Sequence, residues 1–279
     1  MFLIDYLFSL NSIIEEVRLI KINDSVIKAA ILDMDGVLWR SQTPLCDLPE
    51  LFSNFDKHGI SVILATNNGT NTISQYVDKL KGYGVTVDSH QVVTSSMAVS
   101  YLAKKHFPQG GPVYISGSQA LIDTMAEYGF YHSKENAQAV VVGLSWDCNY
   151  ESIKNTSLMI QKGLPFYFTN PDPTYPTPEG IVPGAGMLLA ALETATGVKA
   201  MLAGKPLPFL FEVALERLKS DPAETIVVGD RLNTDILGGF DAHCKTVFVL
   251  TGVNTREDLN GWSPQPDLTL NTIMDLFIQ

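Results

Sequence analysis

The sequence predicts an α/β protein: a doubly wound parallel-sheet core with a second, smaller α/β unit inserted in it. Three observations predict this. Short apolar runs such as Ala29-Ala-Ile-Leu32 stop abruptly on polar residues, as strands covered by helices on both faces do. The runs alternate with stretches of helical periodicity, the pattern of a parallel sheet. A Gly/Pro break at Pro108 to Pro112 interrupts the alternation, which restarts with new runs and regains its first form near Lys205.

Taken in order, Leu10, Ile13, Ile14 and Val17 follow helical spacing and predict an amphipathic helix over residues 3 to 20, packed on the domain. Asp5 and the lack of a basic flank and cleavage site argue against a targeting segment, and the run is too short to span a bilayer. Ala29 to Asp33 is the first strand of the sheet. A helix over Leu48 to His58 ends at Gly59, and Ile60 to Ala65 is the next strand, stopping on Thr66-Asn67-Asn68-Gly69. A helix from Ile73 to Gly82, a short strand at Val92-Val93 and a helix from Ser96 to Lys105 follow.

In the inserted unit, Val113 to Ser116, Ala139 to Leu144 and Pro165 to Thr169 read as strands. Gln119 to Tyr128 and Tyr150 to Lys162 read as helices. A Pro/Gly-rich loop, Asn170 to Gly186, leads to a helix over Met187 to Thr196. Lys205-Pro206 then opens a helix to Lys219, with proline in its first turn. Thr225 to Gly229 is a strand ending on Asp230, Ala242 to Leu250 another, and Asp267 to Leu270 the last. The expected division is a core of residues 1–107 and 197–279, with 1–24 as an N-terminal extension, around an insertion of 108–196.

Composition narrows the function. Acidic residues outnumber basic ones by 30 to 19 in 279 residues, a net charge of −11, which argues against nucleic acid or an anionic membrane as the main partner. Cys46, Cys148 and Cys244 are far apart and odd in number, which excludes a disulfide framework and suits a reducing cytoplasm.

The chemistry begins at Asp33 and Asp35. Residues two apart in extended chain point to one side, so two carboxylates converge at the carboxyl end of a strand. Such a pair repels unless a cation lies between them, and magnesium is the economical choice. Asp-x-Asp-Gly also resembles part of a calcium loop, but the apolar Val37-Leu38-Trp39 supplies none of the remaining ligands. Three further points fall at strand ends or helix starts: Thr66 with Asn67, Lys205, and Asp230 with Asp235. Each alone reads as a turn, a surface lysine or a helix cap. Together they meet the needs of a phosphate dianion: Lys205 brings positive charge, Thr66 a hydroxyl, Asn67 a backbone N–H, and Asp230 a further hard ligand for the cation.

These segments, Asp33-Met-Asp35-Gly-Val, Thr66-Asn67-Asn68, Gly204-Lys205-Pro206 and Gly229-Asp230-Arg-Leu-Asn-Thr234-Asp235, stand in the order of the four motifs of the haloacid dehalogenase superfamily. From about residue 28 onward the sequence resembles that superfamily. More narrowly, it is similar to the branch of nitrophenylphosphatases, phosphoglycolate phosphatases and NagD-type proteins. The resemblance implies a Rossmann-like core with an α/β cap, and a magnesium-dependent phosphatase that hydrolyses a small-molecule phosphomonoester through an aspartyl-phosphate. It makes Asp33 the nucleophile and Asp35 the general acid/base. Thr66, Asn67 and Lys205 hold the phosphoryl group. Asp33, the Asp35 carbonyl and Asp230 ligate magnesium, with Asp235 supporting them from behind. The 139 positions from Thr66 to Lys205 (205 less 66) exceed one crossover and house the cap. Its Thr169 to Thr177 loop, with Asp172 and Tyr175, is implied to read the leaving group, and pairing of two copies through the cap is implied as well.

A response-regulator receiver domain shares some of these residue types but explains neither the insertion nor Asp35. A non-catalytic, regulatory phosphate-binding protein on the same fold is the other alternative. Magnesium-dependent release of phosphate from an aryl phosphate separates it from the enzyme. Phosphoglycolate, glycerol and sugar phosphates, pyridoxal phosphate and nucleoside monophosphates all stay open as substrates.

Overall fold

A computed structural model of the chain describes residues 19–177 and 179–278. The helix expected over residues 3–20 lies outside them, save its last two positions. After a small antiparallel ribbon, strand β1 (Ala29–Leu32) is buried at every residue. There follow α1 (Leu48–Lys57), β2 (Ser61–Thr66), α2 (Ile73–Gly82), β3 (Val92–Thr94) and α3 (Ser95–His106). Asp47 caps α1 through the Glu50 N–H, and Thr72 forms a capping box with Gln75 on α2.

The inserted unit holds β4 (Gly111–Ser116), α4 (Gln119–Glu127), β5 (Phe130–His132), β6 (Val140–Val142), α5 (Tyr150–Ile160) and β7 (Phe166–Phe168). A hairpin of β8 (Thr174–Thr177) and β9 (Gly180–Pro183), helix α6 (Ala185–Thr196) and β10 (Met201–Leu202) complete it. The return to the core supplies α7 (Pro208–Leu218), β11 (Thr225–Gly229), a π turn over Leu232–Ile236 that runs into α8 (Leu237–Asp241), then β12 (Lys245–Val249) and β13 (Leu268–Leu270).

The core sheet is parallel throughout, in the order β13-β12-β11-β1-β2-β3. The chain builds outward from β1 in one direction through β2 and β3, and in the other through β11, β12 and β13. Strand β1 therefore lies at the topological switch point, where open α/β sheets leave a crevice at the carboxyl ends. Alternation along the strands fills both faces. Ala30, Leu32, Val62, Leu64 and Val228 pack with Leu51 and Phe55 of α1. Ile31, Ile63, Val93 and Val227 pack with Met97 of α3 and Leu210 and Phe211 of α7.

The cap sheet is also parallel, in the order β10-β7-β6-β4-β5. One of its faces, with Val113, Ile115 and Val141, shares a continuous apolar cluster with α3 and the core sheet. Cap and core are thus joined by buried packing as well as by two chain crossings. The other face, with Val140, Val142 and Phe168, is covered by Leu188, Leu189 and Leu192 of α6. All three cysteines are free thiols, and among the described residues no helix is long and apolar enough to cross a membrane.

Four differences from the sequence reading stand out. The Asn170 to Gly186 loop contains the β8–β9 hairpin, because an isolated two-stranded ribbon tolerates prolines that a central strand would not. Strand β10 carries the cap sheet past residue 196, where the sequence reading ends the insertion. Pro206 does not open a helix: the Lys205–Pro206 peptide is cis, and α7 starts at Pro208, which takes the first helical position instead. Ala242 to Cys244 precede their strand rather than join it, since they complete the turn that follows α8.

Candidate active site

Strand register brings the carboxylates and Thr66 to one edge. Leu32 is level with Val228 on one side and Leu64 on the other, so Asp33, Asp230 and Thr66 leave three adjacent strands within two residues of one another. Neighbouring strands lie about 4.8 Å apart, which sets the scale of the site. The ladder continues one step past β1, where the Asp33 N–H donates to Val228 O at 2.9 Å. The chain then folds back, with Leu38 N–H bonded to Met34 O and Gly36 at φ +94°, a conformation suited to glycine. This turn carries Asp35 to the same cavity as Asp33, and Trp39, fully buried, donates its indole N–H to Asp35 Oδ1 at 3.1 Å.

At the end of β2, Asn68 N–H donates to Thr66 Oγ1 at 3.1 Å, which leaves the hydroxyl its own proton to give. The Asn67 side chain clasps the Lys205 backbone, accepting from its N–H at 2.8 Å and donating to its carbonyl at 3.1 Å. Lys205 is 3% exposed, and its Nζ lies 2.5 Å from Asp33 Oδ1 and 2.6 Å from Asp235 Oδ1. A buried ammonium gripped by two carboxylates contrasts with the solvated lysine that its Gly/Pro neighbours first suggest.

Asp230 and Asp235 come from the end of β11 and the π turn beyond it. Asp235 sits inside that turn rather than at a helix cap, accepting from Arg231 N–H at 3.2 Å. Carboxylate oxygens of Asp33, Asp230 and Asp235 lie within 4.8 Å of one another. Asp230 Oδ2 accepts from Val253 N–H at 2.6 Å, while its buried Oδ1 has no hydrogen-bond partner. An unpartnered buried carboxylate oxygen is costly unless a cation answers it. Glycines crowd this point: a Cβ on Gly252 would lie 1.9 Å from Asp230 Oδ2, and one on Gly36 2.5 Å from it. The all-oxygen donor set, the orphaned oxygen and the close backbone fit a hard divalent cation such as magnesium.

Electrostatics agree. Burial first, then Asp235 and Asp230, push Asp33 well above the usual carboxylate range, against the pull of Lys205. Asp230 is pushed up to about 7, by burial and then by Asp235. Burial opposes the charge on Lys205, but Asp235 and Asp33 outweigh it and raise its pKa above the ordinary lysine value. One ammonium serves three carboxylates, so the ammonium is secure and the surplus negative charge calls for more cation. Burial also raises Asp35 and Asp172.

The nine residues singled out in the sequence, Asp33, Asp35, Thr66, Asn67, Asp172, Tyr175, Lys205, Asp230 and Asp235, all line one cavity of about 740 Å³ between core and cap. On the cap side, Asn68 Nδ2 donates to Tyr175 Oη at 3.1 Å, and Asn67 Nδ2 donates to Asp172 Oδ1 at 3.1 Å. Sequence reasoning gave no role to Trp39, Ser95, Arg40 and Arg231, and took Asn170 only as part of the loop expected to read the leaving group. Trp39 follows an apolar pair and reads as core, and the others carry no signal without their distant partners. Arg40 and Arg231 line the same cavity.

A profile of haloacid dehalogenase-like hydrolases matches residues 30–131, and a related HAD hydrolase-like profile matches residues 202–276. The 5'-nucleotidase YutF of Bacillus subtilis is 31% identical over 249 residues, covering 89% of this chain and 96% of that protein. A glycerol phosphate phosphatase of Mycobacterium tuberculosis, solved in complex with magnesium, superposes with a TM-score of 0.84 at 31% identity, over 90% of this chain and 76% of that one. NagD from E. coli superposes with a TM-score of 0.81 at 30% identity, over 88% and 96%.

Proposed function

The chain belongs to the haloacid dehalogenase-like hydrolases, with NagD and nitrophenylphosphatase relatives over most of its length, and from that premise we propose a magnesium-dependent phosphatase acting through an aspartyl-phosphate. The observation that carries the reading is the convergence of Asp33, Asp35, Lys205 and Asp230 on one cavity at the carboxyl edge of adjacent parallel strands. Asp33 attacks phosphorus, and the bond from phosphorus to the leaving oxygen breaks. Asp35 gives its proton to that oxygen, then takes one from the water that opens the phosphoenzyme, freeing phosphate and restoring Asp33. Lys205, the Thr66 hydroxyl and the Asn67 N–H hold the phosphoryl oxygens. Asp33, the Asp35 carbonyl and Asp230 would hold magnesium, with Asp235 behind them; the ion supplies charge neutralisation for the dianion.

The substrate is a small phosphomonoester. Ser41, Gln42, Thr43, Thr174 and Tyr175 are among the residues lining the cavity and offer partners to a polar, hydroxyl-bearing leaving group, a description that nucleotides, sugar phosphates and glycerol phosphate share. Pairing through the cap, which sedimentation would read, has material in the exposed Tyr131, Tyr150 and Leu158.

The test is phosphate release from p-nitrophenyl phosphate and a phosphometabolite panel, with and without magnesium. Asp33→Asn should abolish turnover with the fold intact. Asp35→Asn should still form phosphoenzyme from the aryl ester but hydrolyse it roughly 10²–10⁴-fold more slowly. No magnesium-dependent release by the wild type, or an Asp33→Asn variant that keeps its activity, would overturn the proposal.

A further inference from the structure

We propose that Asn170, a residue of the cap, is a positioning residue for the phosphoryl-holding groups of the core, a role that rests on the phosphatase reading above. Asn170 is 5% exposed, and its Nδ2 donates to the Asn67 carbonyl at 2.7 Å, 103 positions away in the chain. Its Oδ1 accepts from Asp172 N–H at 3.1 Å, which holds the cap loop in register with this contact. The same Asn67 carbonyl takes a second donor, the Ser95 hydroxyl at 2.5 Å from the start of α3. Two buried donors, one from the cap and one from the core, therefore fix this oxygen.

Fixing it fixes more than one atom. The Asn67 carbonyl and the Asn68 N–H belong to one planar peptide unit, so they turn together. That N–H is the group that donates to Thr66 Oγ1. Its donation occupies a lone pair of the hydroxyl and so fixes where the Thr66 oxygen stands at the cavity wall. Asn170 thus acts through one peptide plane on Thr66, and through the adjoining dihedral on Asn67, whose side chain clasps Lys205. Thr66, Asn67 and Lys205 are the groups assigned to the phosphoryl oxygens. The cap reaches the part of the site common to every substrate, as well as the part that differs between them.

The variants are Asn170→Asp, which keeps the acceptor for Asp172 N–H but loses the donor to Asn67, and Asn170→Ala, which loses both. Misplacement of this kind costs up to about 10²-fold in turnover. The expected result is a fall in kcat by one common factor for p-nitrophenyl phosphate, a sugar phosphate and a nucleoside monophosphate, with a lower melting temperature for Asn170→Asp, whose carboxylate would be buried against the Asn67 carbonyl. Orthovanadate, which mimics the transferring group, should bind more weakly by a similar factor, read by calorimetry with magnesium present. Ser95→Ala, which removes the core donor to the same carbonyl, should give the same signature if Asn170→Ala does not fold. Unchanged kcat and orthovanadate affinity in Asn170→Asp would overturn the proposal. So would a loss confined to one leaving group, which would make Asn170 a reader of that group. If the wild type releases no phosphate from any ester, the phosphatase reading fails. The orthovanadate measurement then decides the positioning role by itself.

Discussion

Trp39 donates its indole N–H to one oxygen of Asp35 at 3.1 Å, and Lys79 Nζ stands 4.0 Å over the centre of the same ring. Lys79 is held there by its bond to Ser41 O at 2.7 Å. The contacts anchor Asp35 Oδ1 and leave its other oxygen for proton exchange. A buried tryptophan whose N–H finds a carboxylate is paired in the way such groups require.

Trp39→Phe keeps most of the apolar volume and removes this donor. Hydrolysis of an alkyl phosphate, whose leaving oxygen needs a proton, should fall roughly 10-fold, a fraction of the full acid–base contribution. p-Nitrophenyl phosphate, with a good leaving group, should lose much less in the step that forms phosphoenzyme. Single-turnover rates for both esters measure this. An equal loss on both would mean that the indole only fills space.

Stability should depend on pH and magnesium together. Asp33 and Asp230 are raised in the ion-free fold, chiefly by burial, with Asp230 at about 7. A carboxylate raised on folding contributes stability that is fully present below its ordinary value of about 4 and is lost as pH rises through the folded value. Asp35 and Asp172 shift the same way, and Lys205, raised above the ordinary lysine value, stays charged throughout this window. The ion-free protein should therefore lose melting temperature between pH 5 and pH 8. Magnesium binds the ionised carboxylates, so its stabilising effect should be larger at pH 8, about 2.7 kcal/mol at 100 times Kd. A magnesium effect that does not grow with pH would count against these carboxylates as the ion's ligands.

Gly252→Ala should damage the metal site from outside it. The added Cβ would fall 1.9 Å from Asp230 Oδ2 and 2.3 Å from its Cγ, so that carboxylate must move. Displacing a ligand through its supporting contacts weakens metal binding by about 10–100-fold, visible as a higher magnesium requirement for activity and by calorimetry. Magnesium affinity equal to wild type would show that Asp230 is not needed where it stands.

The two cap residues should separate by substrate. Tyr175→Ala removes the hydroxyl bonded to Asn68 Nδ2 and widens the cavity. Its cost should fall on kcat/KM for the substrate that fits this wall, by about 1–3 kcal/mol, with little change for a small aryl ester. Asp172→Ala also removes one of the two acceptors of Asn67 Nδ2, leaving that to the Lys205 carbonyl, so it should lower every substrate to some degree as well as change their order. A flat loss for Tyr175→Ala across the panel would place the reader of the leaving group elsewhere.

Much of the fold and site was legible because the signals are local. Ala29 to Leu32 and Thr225 to Gly229 are apolar to the last residue before a carboxylate, so strand, burial and strand end are written in a few adjacent positions. That places Asp33, Thr66 and Asp230 at strand ends, and chemistry that needs paired carboxylates, a lysine and a hydroxyl draws them together. The two-residue strand β10 and the proline-rich β8–β9 hairpin were not legible, because neither carries a period long enough to read.

What the sequence by itself determined is the α/β class, the insertion and the set of candidate residues that come to line one cavity. Only the tertiary structure decided how each is held. Strand register set Asp33 beside Asp230. Core packing turned Trp39 onto Asp35 and buried Lys205 between Asp33 and Asp235. Docking of the cap brought Asn170 onto Asn67. The physical reason is range: periodicity and turn chemistry act over a few residues, whereas a hydrogen bond between side chains a hundred positions apart exists only once burial has chosen which surfaces meet.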